Sequence, residues 1–180
     1  MNTRKLTETA LLTAVIAVLA PLSIPLAGQV PISLATFAVM LAGELLGAKQ
    51  GGFCAALYLL LGAIGVPVFA GYTGGAAILF GVTGGFLFGY IPLAIICGLF
   101  AERMKKDGIP SLKGMLIGMV LGTVMLYALG LVWFMIFTKM GIGASLAACV
   151  LPFLPGDALK IAAVCLLVPR LYPFVSKNLH

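Results

Sequence analysis

The sequence predicts an all-α, polytopic membrane protein of about six transmembrane helices. Three observations predict it: a composition suited to lipid, six apolar stretches of helical length, and a one-sided distribution of basic residues. The chain is 62% hydrophobic and only 9% charged, with a mean hydropathy of +1.20, far outside the range of soluble globular domains. A hydrocarbon core about 30 Å thick takes roughly 20 apolar residues per helix, and 180 residues hold six such spans with short connections.

The first span is expected over 6–24. Arg4 and Lys5 precede its apolar run from Ala10 to Ala20, and the small residues Ala27 and Gly28 follow, which weakly mimics a signal peptide. With five further spans downstream it reads as a retained helix. Ala10 and Ala14 make a small-x-x-x-small pattern that lets another helix touch this one, although internal packing accounts for it equally.

The second span, 34–47, is short enough to be tilted or partly interfacial, and Glu44 near its end can reach the interface. The third is expected over 51–66 and the fourth over 82–101. A polar run from Arg103 to Lys113 follows, in which Asp107-Gly108 and Pro110 signal a turn. The fifth span covers 114–138 and the sixth 155–171.

With the N-terminus cytoplasmic, the inner segments hold Arg4, Lys5, Lys49, Arg103, Lys105, Lys106, Lys113, Arg170 and Lys177, nine of the eleven basic residues. Only Lys139 and Lys160 remain outside, so the bias of basic residues toward cytoplasmic loops selects this orientation and places both termini inside. The same rule explains the net charge of +6 without nucleic acid.

The outer connections are Pro25 to Pro31, Val66 to Gly81 and Gly141 to Pro155, all uncharged and rich in Gly and Pro. Irregular backbone at membrane depth needs protein or a cavity around it, because lipid offers no hydrogen bonds. Ordered loops capping a ligand pocket follow as the expectation.

Pro155-Gly156 opens the sixth helix, and Asp157 and Lys160 at i, i+3 then share one face. Asp157 can simply cap the helix while Lys160 pairs with it or snorkels outward. A cation in the first helical turn, however, opposes the helix dipole, and a charge at membrane depth usually faces a cavity or a partner. As a binding pair the two offer an anionic acceptor and a cationic donor beside free backbone N–H groups, which suits a small ligand bearing amide N–H and carboxylate.

The segment from Tyr72 to Tyr90 repeats Thr-Gly-Gly after ten residues. Gly81, Gly85 and Gly89, like Gly114, Gly118 and Gly122, are spaced for close helix packing. Phe69, Tyr72, Phe86 and Tyr90 bracket the same outer loop, where they stack on an apolar ligand or form an interfacial belt.

Other chemistry is poorly served. Cys54, Cys97, Cys149 and Cys165 stand singly in apolar runs, a pattern of packing rather than of metal or redox sites. There is no G-x-x-x-x-G-K-[ST] to hold a nucleotide and no catalytic motif, and the one histidine, His180, lies outside the spans. An intramembrane enzyme using Lys160, or a bundle with no ligand, are the rivals from other classes.

Val30-Pro31-Ile32-Ser33 leading into Thr36 and Leu41-Ala42-Gly43, the run Leu59 to Gly71, Thr83-Gly84-Gly85-Phe86, and Pro152 to Asp157 together resemble the BioY family. These are the biotin-specific substrate-binding (S) components of energy-coupling-factor vitamin transporters. The resemblance implies a single transmembrane substrate-binding domain over 1–180 that binds biotin as transported ligand, with no cofactor and no enzymatic step. It adds Thr36 and Gly84 to the candidate binding set of Asp157, Lys160, Phe69, Tyr72, Phe86 and Tyr90. It further implies a transmembrane coupling (T) subunit, docked at Ala10 and Ala14, and two cytoplasmic ATPase (A) subunits. A sister S component for another vitamin, such as riboflavin or thiamine, is the nearest alternative.

Overall fold

The structure, a computed structural model, describes residues 3–25 and 30–176. Ala27, Gly28, Lys177 and His180 lie outside the described residues. Among the described residues six helices are long: α1 (Thr3–Leu19), α2 (Ala35–Leu46), α3 (Ala48–Ala63), α5 (Gly84–Arg103), α6 (Leu112–Thr138) and α8 (Leu154–Ser176). Two short ones, α4 (Ala76–Leu79) and α7 (Ile142–Cys149), interrupt connections read from the sequence as loops.

By length and composition, α5, α6 and α8 suffice to cross a membrane, and the chain is an integral membrane protein. At 12 residues, α2 rises only about 18 Å. It stops well short of a full span.

Helix ends moved for identifiable reasons. The first helix stops at Leu19 rather than 24, because Pro21 follows and the chain turns into a hairpin of β1 (Ser23–Ile24) and β2 (Ile32–Ser33). The third stops at Ala63 rather than 66, where Gly65 takes φ +101° and Pro67 follows. The sixth runs on to Ser176 through Pro169 and Pro173.

Between the fourth and fifth long helices, β3 (Lys105–Lys106) pairs with β4 (Ile109–Pro110). Asp107 (φ 53°) and Gly108 (φ 79°) form the two-residue left-handed turn that suits a tight hairpin. The Lys105 ammonium sits 5.5 Å from the Tyr172 ring centroid, so this basic hairpin rests on α8.

The central helix is α5, which packs chiefly along α6 and then against α3 and α2. Glycines make the α5–α6 approach possible. A Cβ at Gly85 would lie 2.2 Å from Trp133 Cβ, and one at Gly122 would lie 2.7 Å from Leu93 Cδ1. Gly89 and Gly118 are similarly closed, so the glycine spacing serves helix packing. All four cysteines are free thiols, three of them buried.

Candidate functional site

The site forms where α2 begins and α8 begins, at the end of the bundle opposite the basic hairpin. Ser33 prepares it: its Oγ accepts from the Ala35 N–H at 2.9 Å and donates to the Ala20 carbonyl at 2.7 Å. This fixes the first turn of α2 and directs Thr36 inward. On α8, the Asp157 N–H donates to the Phe153 carbonyl at 2.8 Å, which sets the first turn and aims Asp157 and Lys160 at Thr36.

The side chains close into one polar cluster. Lys160 Nζ donates to Asp157 Oδ1 at 2.8 Å and to Thr36 Oγ1 at 2.8 Å. The Thr36 hydroxyl in turn donates to Asp157 Oδ1 at 3.3 Å, and Tyr127 of α6 donates to Asp157 Oδ2 at 2.5 Å. Asp157, Lys160 and Thr36 are all buried. Burying charges at this depth is tolerable only because each is paired and hydrogen-bonded. The local ion pair and the inward-facing charges anticipated from the sequence are thus the same structure.

One ammonium proton of Lys160 has no partner among the described residues, since the group carries three donors and uses two. The Asp157 carboxylate offers about four acceptor positions and three are taken. The ion pair of Lys160 and Asp157 therefore retains one donor and one acceptor.

Two adjoining compartments lie against it. Thr36, Phe86, Tyr90, Tyr127, Asp157 and Lys160 line the polar one, with Val30, Pro31, Ser33, Leu126 and Phe153. The second has a volume of about 250 Å³ and is walled mainly by Phe69, Ala70, Ile78, Phe86, Leu87 and Tyr90. Val30, Pro31, Ser33, Phe86 and Tyr90 border both, so the two compartments share a wall. The aromatic wall is braced from behind: Tyr58 meets Phe69 edge-on at 5.6 Å and Tyr90 at 6.2 Å. The Phe69 ring lies over Gly62, where any Cβ would clash with it.

The loops cover this space through ordered contacts. The Gly71 N–H bonds the Pro21 carbonyl at 3.0 Å, the Gly75 N–H bonds the Gly62 carbonyl at 2.7 Å, and Phe69 bridges to Thr73.

Of the candidate residues, Asp157, Lys160, Thr36, Phe69, Phe86 and Tyr90 come together. Two do not. Tyr72 sits at φ 58° on the tip of its loop and is 65% exposed, off the cavity wall. Gly84 faces away, where a Cβ would meet the Leu79 carbonyl oxygen at 2.2 Å and the Trp133 ring at 3.1 Å. It serves packing. Ala10 and Ala14 lie exposed on α1.

Tyr127 was missed by the sequence reading, as were Val30, Pro31, Ser33 and Phe153 as cavity residues. A signal for Tyr127 existed: a phenol in the middle of an apolar span needs a hydrogen-bond partner. Among the described residues no cluster of His, Cys, Asp or Glu could hold a metal ion.

Fold and site together define a class: a helical integral membrane protein that closes its loops over a cavity sized for a small molecule, with an ion pair at the cavity's polar end. Comparison with known proteins places it more narrowly. The chain belongs to the BioY family, which matches residues 1–177. It is 42% identical over 168 residues to the biotin transporter BioY of Thermotoga maritima, covering 93% of this chain and 95% of that protein. It is 38% identical to the biotin transporter BioY2 of Lactococcus lactis subsp. cremoris, covering 88% and 85%. Its fold is similar to the crystal structure of the S-component for biotin from an ECF-type ABC transporter, with a TM-score of 0.87 and 33% identity over 95% of this chain and 93% of that one.

Proposed function

We propose that this chain binds biotin in the two-compartment cavity and serves its uptake as the substrate-binding subunit of an energy-coupling-factor transporter. The observation that carries the reading is the buried cluster of Asp157, Lys160, Thr36 and Tyr127 at the head of an aromatic-walled space. Biotin presents a ureido group with two N–H donors and one carbonyl acceptor, an apolar ring and chain, and a carboxylate. The acceptor position left on Asp157 takes a ureido N–H, the third proton of Lys160 goes to the ureido carbonyl, and Phe69, Phe86 and Tyr90 enclose the ring. Membership of the BioY family and the likeness to a biotin S-component support the same ligand.

In this reading residues 1–180 are one substrate-binding domain with both termini cytoplasmic, and the chain hydrolyses nothing. A transmembrane coupling subunit and two cytoplasmic ATPases supply the energy. Ala10 and Ala14, exposed and small, let the coupling subunit's helices approach α1.

Calorimetric titration of the purified protein in detergent tests the ligand. Roughly equimolar biotin binding, lost in Asp157→Ala or Lys160→Ala and not displaced by riboflavin or thiamine, is the expected result. An Asp157→Ala isotherm matching the wild type would overturn the site.

A further inference from the structure

Glu44, near the end of α2, takes no part in the cavity and is 1% exposed. Neither Oε1 nor Oε2 has a hydrogen-bond partner among the described residues, and no described cation lies within ion-pair distance. The sequence lets this side chain reach the interface, but the packing does not. Next to it, a Cβ on Gly43 would lie 2.5 Å from the Ala94 carbonyl oxygen of α5, and one on Gly51 of α3 would lie 2.7 Å from Gly43 Cα. The end of α2 is wedged between two helices, so Glu44 cannot swing out unless α2 itself moves.

Two helices packed against α2 carry titratable thiols, Cys97 on α5 and Cys165 on α8. Elsewhere on the packed helices, Glu8 of α1 pairs with Arg4, Cys54 of α3 bonds the Thr9 carbonyl, Glu102 of α5 accepts from the Ala48 N–H at 3.3 Å just beyond the end of α2, and Lys49 of α3, Arg103 of α5 and Arg170 of α8 are exposed. A carboxylate enclosed without a counter-charge is expensive, while the acid form carries no charge to desolvate.

We propose that Glu44 is a proton-binding site buried in the helix bundle, and that α2 links its occupancy to the ligand cavity. The link is covalent continuity along one short helix. Two turns before Glu44, α2 carries Thr36, whose hydroxyl bonds both Lys160 and Asp157. When Glu44 gives its proton to solvent, the bare carboxylate must gain water or a cation, which requires the end of α2 to leave its wedge and draws Thr36 from the cluster. The packed form that completes the cavity is therefore the protonated one. By reciprocity, ligand binding favours proton uptake, and raising the pH weakens binding.

The linkage rests on the biotin reading above; the proton site does not. Biotin titrations from mildly acidic to alkaline pH, run on the wild type and on Glu44→Gln, test the linkage. The wild type is expected to lose affinity as pH rises, by up to about tenfold per pH unit for one proton. Glu44→Gln is expected to hold the acid-side affinity throughout. Parallel profiles in the two proteins overturn the linkage. Infrared spectra of the ligand-free protein read the site directly: a protonated-carboxyl band at neutral pH that vanishes in Glu44→Gln supports it, and its absence from the wild type overturns it. A wild type that binds no biotin at any pH overturns the ligand reading and the linkage with it, while the infrared band still decides whether Glu44 holds a proton.

Discussion

The ammonium of Lys160 lies 2.8 Å from the hydroxyl of Thr36, 124 residues earlier in the chain. Because the same nitrogen is 2.8 Å from Asp157 Oδ1, one cation ties the start of α8 to the start of α2. The cavity exists where that tie closes.

The tie makes single and double substitutions unequal. Asp157→Ala strands a buried cation and is expected to destabilise the fold by about 3–5 kcal/mol, whereas Asp157→Ala combined with Lys160→Ala recovers most of that loss. Thermal unfolding in detergent reads the difference. Equal losses in the single and the double variant would contradict it.

Tyr127→Phe removes one hydroxyl and keeps the ring. The hydroxyl donates to a charged acceptor, and such a bond contributes about 1.5–3 kcal/mol, so biotin affinity is expected to fall roughly 10- to 100-fold. Titration calorimetry checks this. An unchanged dissociation constant would show that Tyr127 does not position Asp157 for the ligand.

The aromatic residues divide by where their side chains sit. Tyr72→Ala is expected to leave biotin binding within about twofold, because the ring is exposed away from the cavity. Phe86→Ala, on a wall shared by both compartments, removes contacts worth about 1.5–3 kcal/mol. The same titrations decide both, and a large loss in Tyr72→Ala would mean that its loop folds inward over the ligand.

At the α5–α6 crossing, Gly85→Val meets Trp133 and is expected to cost about 1–3 kcal/mol of stability, with Gly143→Ala, which meets nothing within 4 Å, as the neutral control. Unfolding midpoints in detergent read both. Equal midpoints would mean the two helices part without penalty.

If a coupling subunit docks on α1 as proposed, Ala10→Leu with Ala14→Leu is expected to leave biotin binding intact while abolishing its co-purification, since both positions are exposed and bulk there would hold an approaching helix away. Full assembly by that variant would move the docking surface elsewhere.

Hydropathy placed the six long helices seen among the described residues, with shifted ends, because lipid favours apolar side chains outside and backbone hydrogen bonds inside; by length and composition only α5, α6 and α8 suffice to cross. It also singled out Asp157 and Lys160, since charges at membrane depth are costly and so conspicuous. The motif at Val30 to Thr36 marked a stretch that proved to line the cavity, though only as a resemblance.

Tertiary structure decided the rest. Whether Gly84 or Tyr72 faces a ligand depends on the rotation of α5 and the path of one loop, which local periodicity does not encode. Tyr127 and Thr36 joined Asp157 only when α2, α6 and α8 converged, a meeting of residues from 30 to 121 positions apart. Glu44 reads in the sequence as a residue near an interface, and only the wedge of α2 between α3 and α5 encloses it. Composition determines what the membrane will accept, and which polar groups then meet one another is fixed by the packing of helices distant in sequence.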